Sequence, residues 1–325
     1  MNDTPDKDLL STMRSRMTLA ISAYSESRSD ELDDLRFMAG SPDNNWQWPE
    51  EVKATRTTGS GQSARPTLTI NKLPQHVRQV TNEQRQNRPA GKVIPADDKA
   101  DVEVAQIMDG MVRHIEYMSD SDVAYDTACD NQVIYGEGYV RLLTDYCRED
   151  SFDQDIRIGR IRNSFSVYMD PMIQDPCGAD ARWCFITEDM DKDDYERQFP
   201  KAKPVSTLQQ EGIGDQSMSA WLNDNVVRIA EYFYFEHKKE MLHLYPDNMT
   251  AWKGTQKDKA LTQAYGAPAK MRNVDRKVVK WIKTNGAEIL ESQEWAGKWI
   301  PVARVVGNEF DVDGKLLVSG LVRNA

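Results

Sequence analysis

The chain has 325 residues, enough for two domains or three small ones with separate hydrophobic cores. Its 52 acidic and 41 basic residues give a net charge of -11, so its surface as a whole should repel duplex DNA. No segment approaches the roughly 18–20 apolar residues of a membrane-spanning helix, and the acidic start MNDTPDKDLL lacks the features of a signal peptide. Composition and charge therefore argue against a membrane protein and predict one that stays in the reducing cytoplasm where it is made.

The residue types that most often carry chemistry are scattered along the chain. Two of the four histidines, His237 and His243, fall on one face of a predicted strand, and we interpret them as facing solvent. No Walker-type loop, GxSxG or HExxH motif occurs. We accordingly predict no catalytic residue, no cofactor and no metal site. The four cysteines show no CxxC spacing and are predicted to be free packing residues: Cys129, Cys147, Cys177 and Cys184.

The first part of the chain has the apolar spacing of helices. Residues 6–38 predict one long helix, because apolar residues recur at steps of three and four before the stop signal Gly40-Ser41-Pro42. Further helices are predicted after Pro74, from about Asp98, and after Ser119 or Ser121 as N-cap. The helix from about Asp98 has its apolar residues on one face: Ile107, Met111, Ile115 and Met118.

The apolar period then changes from about 3.6 to 2 at the turn Gly136-Glu137-Gly138. Strands are predicted at YVRLLTDY, DIRIGRI and ARWCFIT, so residues 1–190 predict an α+β domain, mainly helical with an antiparallel sheet. Residues 191–224 are polar, contain prolines and glycines, and are interpreted as a boundary. Short strands follow in a small β-rich domain over 225–310: VVRIAEYFYF, EMLHLYP, RKVVKWIKT, AEILE and KWIPVARV.

Two charged segments are candidates for a functional site. The acidic run at 188–196 could place carboxylates for a metal-dependent nuclease, but interleaved Lys192 and Arg197 favour a solvated helical face. Residues 251–285 carry nine basic and two acidic residues, a net charge of +7 in an otherwise acidic chain. The nine are the predicted docking residues: Lys253, Lys257, Lys259, Lys270, Arg272, Arg276, Lys277, Lys280 and Lys283.

Several sequence blocks, in their order and spacing over roughly residues 10–200, resemble the early region of portal proteins from short-tailed, podovirus-type phages. They are RPTLTINKLPQHVRQV, NEQRQNRPAGKVIPADD, MVRHIEYMSDSDVAYDTA, QVIYGEGYVRLLTDY, SFSVYMDP and DARWCFITEDM. Later, VVRIAEYFYFEHKKE and KWIPVARVVGNEF resemble the strands that flank a portal's clip. The resemblance implies a wing-like domain at 1–190, a stem-like helix and linker at 191–224 and a clip-like domain at 225–310. Residues 311–325, which end without a closing element, would start a missing C-terminal part.

The resemblance also implies a function that is structural and not enzymatic. The chain would be one subunit of a homo-oligomeric, dodecameric ring at one vertex of the phage capsid, assembled in the host cytoplasm and retained in the virion. Double-stranded DNA would pass through the ring during packaging and ejection. Implied partners are the terminase large subunit, then the head–tail adaptor, and the capsid and scaffolding proteins. A metal-dependent nuclease or another capsid-associated structural protein is the alternative.

In this picture the basic segment would lie in the clip and face outside partners. We expect it to dock the terminase or the adaptor. Contact with DNA at the channel mouth is a second reading, and pairing with acidic residues of the adjacent subunit is a third.

Overall fold

The computed structural model describes residues 3–40, 49–57, 70–88, 90–96, 101–202, 226–312 and 315–324. Within them its helices are α1 (Asp3–Ala39), α2 (Glu50–Thr57), α3 (Leu73–Gln86), α4 (Val102–Met118), α5 (Ser121–Tyr135), α6 (Lys192–Gln198) and α7 (Gln256–Tyr265). Its strands are β1 (Glu137–Tyr146), β2 (Gln154–Arg160), β3 (Val167–Met169), β4 (Trp183–Asp191), β5 (Val226–Leu244), β6 (Thr250–Trp252), β7 (Lys270–Thr284), β8 (Ile289–Glu294), β9 (Val302–Val306), β10 (Asn308–Val312) and β11 (Lys315–Ser319). The α+β fold class is confirmed. None of the helices described is long and apolar enough to span a lipid bilayer.

The chain forms two compact units. The helical unit consists of Thr18–Asp180 and Pro301–Ala325, and the hairpin unit of Met1–Met17 and Ala181–Ile300. Each unit therefore combines two separate stretches of chain. The predicted domains, with boundaries at residues 190, 224 and 310, follow one another along the chain instead. Most of the segment 191–224 lies outside the described residues. The assignment of these regions to wing, stem and clip stays a prediction.

The helical unit is organised around an antiparallel sheet in the order β2-β1-β9. Helix α5 packs on this sheet, and its small residues Ala124 and Ala128 form a core cluster with Val140. The strand predicted at KWIPVARV thus belongs here as β9, where Ala303 pairs with Val140 of β1. The sequence placed that strand in the β-rich domain because it lies next to those strands along the chain.

Two glycines permit the contact between α5 and β1. Gly136 ends α5 with a φ of 106°, a left-handed conformation that residues with a Cβ rarely adopt. At Gly138 a Cβ atom would lie 2.1 Å from the carbonyl oxygen of Ala128. The predicted turn at Gly136-Glu137-Gly138 is therefore a helix stop followed by a close approach of helix and strand.

Helix α4 begins with a side-chain cap and differs from the prediction in what it buries. Asp101 Oδ1 accepts a hydrogen bond from the Glu103 amide at 2.8 Å, which starts the helix at Val102. The residues predicted to share one face do so, but Ile107 and Met111 on that face are exposed to solvent. The predicted cap of α5 is wrong: its N-cap is Asp120, with a φ of 45°, and not Ser119 or Ser121.

The hairpin unit contains an antiparallel sheet in the order β4-β5-β7-β8, with β6 on β5. Strand β5 runs unbroken for 19 residues, whereas the sequence predicted two strands separated at Glu236–Lys239. Those charged residues stay in the strand because β7 pairs with β5 along this stretch, from Glu236↔Val278 to Glu240↔Val274. Stacked Phe185 and Tyr232, with ring centroids 4.3 Å apart, lie in its core.

Candidate docking surface at the tip of the long hairpin

The basic segment 251–285 occupies one long arm of the hairpin unit and its tip. Strands β5 and β7 pair from Ala230↔Thr284 at the base to Leu244↔Lys270 at the far end. Strand β6 and helix α7 lie in the connection between them. The nine predicted docking residues therefore divide by position. The five at the tip are Lys253, Lys257 and Lys259 in the connection and Lys270 and Arg272 at the start of β7. The four nearer the base of β7 are Arg276, Lys277, Lys280 and Lys283.

Helix α7 was not predicted, although it carries two of the tip lysines. Its N-cap is Thr255, whose hydroxyl accepts a hydrogen bond from the Asp258 amide at 3.2 Å. A threonine followed three residues later by an acid is a capping pattern, so the sequence did contain a signal for this helix. The short polar helix lacks the apolar stripe on which the helix predictions relied.

Asp258 anchors α7 to the rest of the tip. Its carboxylate accepts hydrogen bonds from the Gly254 amide at 2.9 Å and the Tyr245 hydroxyl at 2.8 Å. His243 Nδ1 lies 2.8 Å from the same carboxylate. The Gly254 amide is the main cause that lowers the pKa of Asp258 below its ordinary value. Because Asp258 points inward, its neighbours Lys257 and Lys259 are left on the outside of the tip.

The environment of the histidines corrects one expectation. His243 is buried, with 7% of its surface exposed, so its interpretation as a solvent-facing residue is wrong. His237, on the same strand, is exposed and lies 3.3 Å from Asp275. The difference arises because α7 covers the end of the hairpin that carries His243 and leaves the middle open.

The five tip residues are exposed bases. In the part of the chain that the structure describes, none of them forms an ion pair with another residue. They are therefore placed at the surface where an acidic partner could pair with them.

The four bases nearer the base of β7 are engaged within the chain. Arg276 lies 3.2 Å from Glu240, and Lys280 lies 3.4 Å from Glu294. Glu294 also accepts a hydrogen bond from Lys238 at 3.1 Å, which is the main cause that lowers the pKa of this carboxyl. These residues form a ladder of ion pairs across β5, β7 and β8.

The remaining two of these four, Lys277 and Lys283, lie over aromatic rings. Lys277 is 3.6 Å from the ring centroid of Phe235, and Lys283 is 5.5 Å from that of Phe199. Within the described residues, the five tip bases differ from these four in forming neither an ion pair nor a contact with an aromatic ring.

The acidic run at 188–196 is divided between two elements. Its first half lies on strand β4, and not on a helix as expected, while its second half lies on α6. Asp189 pairs with Arg228 at 2.7 Å, Asp191 caps α6, and Asp194 pairs with Arg197 at 2.7 Å. Across the described ranges no three His, Cys, Asp or Glu side chains are grouped as metal ligands would be. These carboxylates have structural partners of their own.

The helical unit contains a cavity of about 340 Å³ that sequence reasoning did not anticipate. Glu31, Glu137 and Arg304 line it together with apolar side chains of β11. Arg304 donates hydrogen bonds to Glu137 and, at 3.1 Å, to Glu309. Burial, followed by the charge of Glu137, raises the pKa of Glu31 to about 8. No local pattern marks Glu31, because the residues around it come from distant parts of the chain.

Comparison with known proteins gives a consistent match. The family model described as "Phage P22-like portal protein" matches residues 14–325. The "Portal protein" of Acyrthosiphon pisum secondary endosymbiont phage 1 is 26% identical over 293 residues, which are 86% of this chain and 40% of that protein. The chain therefore spans less than half the length of this relative.

Proposed function

Since the chain belongs to the family of phage P22-like portal proteins, we propose that it is a structural subunit of a ring at one vertex of the phage capsid. Twelve copies would surround a channel through which double-stranded DNA enters the head and later leaves it. The acidic balance of the chain suits this role, because a wall that neutralises few phosphates lets DNA slide without binding tightly.

The basic tip of the hairpin unit is the part that we propose to dock partner proteins. The supporting observation is the group of five exposed bases without an intrachain ion pair among the described residues. Basic groups held at the end of a 19-residue strand can reach a partner while the rest of the acidic surface repels acidic proteins. The terminase large subunit would bind this tip during packaging and the head–tail adaptor afterwards, so the two would compete.

A matched pair of variants tests the docking proposal. The first reverses three tip charges with Lys257→Glu, Lys259→Glu and Lys270→Glu. The control reverses three exposed lysines elsewhere in the hairpin unit with Lys192→Glu, Lys201→Glu and Lys298→Glu, so both variants change the net charge equally. We expect the tip variant to bind the terminase large subunit at least about tenfold more weakly, and the control to bind like the parent. Equal affinity of all three proteins would refute docking through the tip.

The same proteins distinguish docking of a protein from contact with DNA. Each phosphate contact contributes about 0.9 to the slope of log K against log salt concentration. If the tip lysines contacted duplex DNA, the magnitude of that slope would be about three smaller for the tip variant than for the parent. We expect the two slopes to be equal. A smaller slope for the variant would instead support contact of the tip with DNA at the channel mouth.

A further inference from the structure

Helix α4 of the helical unit presents an apolar stripe to solvent. One side of it carries Val104, Ile107, Met108, Met111 and Met118, and all five are exposed. Ile107 is 62% exposed and Met111 59%. Half-exposed side chains of this size leave several hundred Å² of apolar surface in one stripe, which is at the upper end of what monomeric proteins show.

The opposite side of α4 is the one that holds the helix in place. Ala105 is buried, and Asp109 accepts a hydrogen bond from the Val93 amide at 3.1 Å. At 3.6 residues per turn these two lie on the far side of the helix from Ile107 and Met111. The helix is thus attached by its small and polar residues, while its large apolar residues face outward.

A second apolar surface lies on the β10–β11 hairpin of the same unit. Phe310 pairs with Leu317, so these two side chains and Val312, two residues beyond Phe310, lie on one face of the ribbon. Phe310 is 53% exposed, Val312 49% and Leu317 38%. Leu316 and Val318 lie on the other face and line the cavity of the helical unit.

The two surfaces are attached at different places in the helical unit. The end of α4 is attached at the β2 edge, where Arg157 Nη1 donates to the Met118 carbonyl at 2.8 Å and the Ile158 amide donates to Ser119 Oγ at 3.0 Å. The β10–β11 hairpin follows β9 after the single residue Gly307, whose amide donates a hydrogen bond to the Gly136 carbonyl at 2.7 Å, where α5 ends. One copy therefore carries two different apolar surfaces at separate places.

We infer that the α4 stripe of one copy packs against the β10–β11 hairpin of a second copy. Two different surfaces on one copy are what a head-to-tail contact needs, and repetition of such a contact closes a ring if the rotation between copies allows it. A standard interface buries about 800 Å² on each partner, so polar side chains around the two apolar surfaces would complete it. The inference rests on the proposed ring function and names the surfaces through which the ring would form.

Photo-crosslinking in mixed assemblies tests the contact directly. A photoreactive phenylalanine derivative replaces Met111 in chains labelled with ¹⁵N, which are mixed with unlabelled chains before irradiation. We expect mass spectrometry to find peptides that join position 111 of one chain to residues 308–319 of the other isotope. The control carries the same probe at Met172, a methionine of the helical unit that is 70% exposed but lies outside both surfaces. Crosslinks from position 111 within one chain, or to another region of the second copy, would overturn the inference.

Sedimentation of charged variants gives a second readout. Ile107→Glu with Met111→Glu should weaken self-association at least tenfold relative to the parent, while Met172→Glu should leave it unchanged. Because all three side chains are already exposed, thermal unfolding of a dilute sample should change little. If the variant with Ile107→Glu and Met111→Glu associated as well as the parent, this contact would be refuted but the proposed ring would stand. Parent chains that never associate would refute both the contact and the proposed ring.

Discussion

Glu31 is the clearest case of a single residue whose chemistry depends on distant parts of the chain. It is 4% exposed in helix α1, where the Ser27 hydroxyl donates a hydrogen bond to its carboxyl at 3.3 Å. Burial and the charge of Glu137 raise its pKa, while Arg28 lowers it. Its sequence surroundings, SESRSDELDD, are those of an exposed helix face, so the sequence contains no local sign of this burial.

The raised pKa predicts a pH dependence of stability. Between about pH 4.5 and 8 the folded chain keeps a proton on Glu31 that the unfolded chain has released. The free energy of unfolding should therefore fall as pH rises through this window and level off above it. Glu31→Gln removes the carboxyl that would be charged and buried at high pH. The free energy of unfolding of the variant should therefore exceed that of the parent at pH 8.5, by a few kcal/mol at most, and the difference should be smaller at pH 5. Urea unfolding at several pH values measures the difference.

The control for this experiment is Glu26→Gln, which changes an exposed glutamate in the same helix. The fall in the free energy of unfolding between about pH 4.5 and 8 should persist in this control. If it also persisted in the Glu31→Gln variant, Glu31 would not be the group that titrates.

At the scale of elements, glycine positions determine how α5 meets β1. Gly138 lies where the helix backbone leaves no room for a side chain. At Gly110, in the middle of α4, no described atom outside the adjoining helix backbone lies within 4 Å of the position that a Cβ would take. We therefore predict that substitution by alanine changes the free energy of unfolding in opposite directions at these two glycines.

Gly138→Ala should lower the free energy of unfolding by about 1–3 kcal/mol, since the helix and strand must move apart to admit the methyl group. Gly110→Ala should raise it by about 0.5–1 kcal/mol, because alanine is the better helix former where space is free. Chemical denaturation of both variants and the parent is the measurement. A neutral effect at Gly138 would show that the contact adapts at little cost.

Most elements with a strong apolar period could be predicted from the sequence, and those that failed have physical reasons. Helices α1, α3, α4 and α5 and strands β1, β2 and β4 appear where the period predicts them. Strand β5 was divided because charged residues in its middle resemble a turn, yet pairing with β7 keeps them in the sheet. Helix α7 was missed because its cap and its buried Asp258, and not an apolar stripe, hold it in place.

For the whole molecule, the sequence predicted the class of fold and the family but not the arrangement of the units. Apolar patterns are local, whereas the pairing of β1 with β9 joins residues far apart in the chain. The basic segment was likewise identified by composition alone. Its division into an exposed tip and an ion-pair ladder depends on which acids β5 and β8 bring close.

The pairing of β1 with β9 predicts how the two units respond to loss of the C-terminal strands. A chain ending at Ile300 keeps every residue of the hairpin unit but lacks β9, and it leaves buried Glu137 without Arg304. Removing one partner of a buried ion pair costs about 3–5 kcal/mol, so the helical unit should lose most of its amide protection. Hydrogen exchange should show protection retained in β5 and β7 and lost in β1 and α5. Equal protection in both proteins would contradict this expectation.

The same discontinuity sets an order of events during translation. At about 5–20 residues per second, the ribosome needs roughly 6–24 s to make the stretch from Ala181 to Ile300. During this time β1 has emerged but its partner strand does not yet exist, so one edge of the sheet has unpaired backbone groups that invite pairing with other nascent chains. The hairpin unit, in contrast, is complete as soon as Ile300 leaves the exit tunnel. The part of the protein that is translated early is thus finished last, and a chaperone that shields sheet edges would act on it before any ring is assembled.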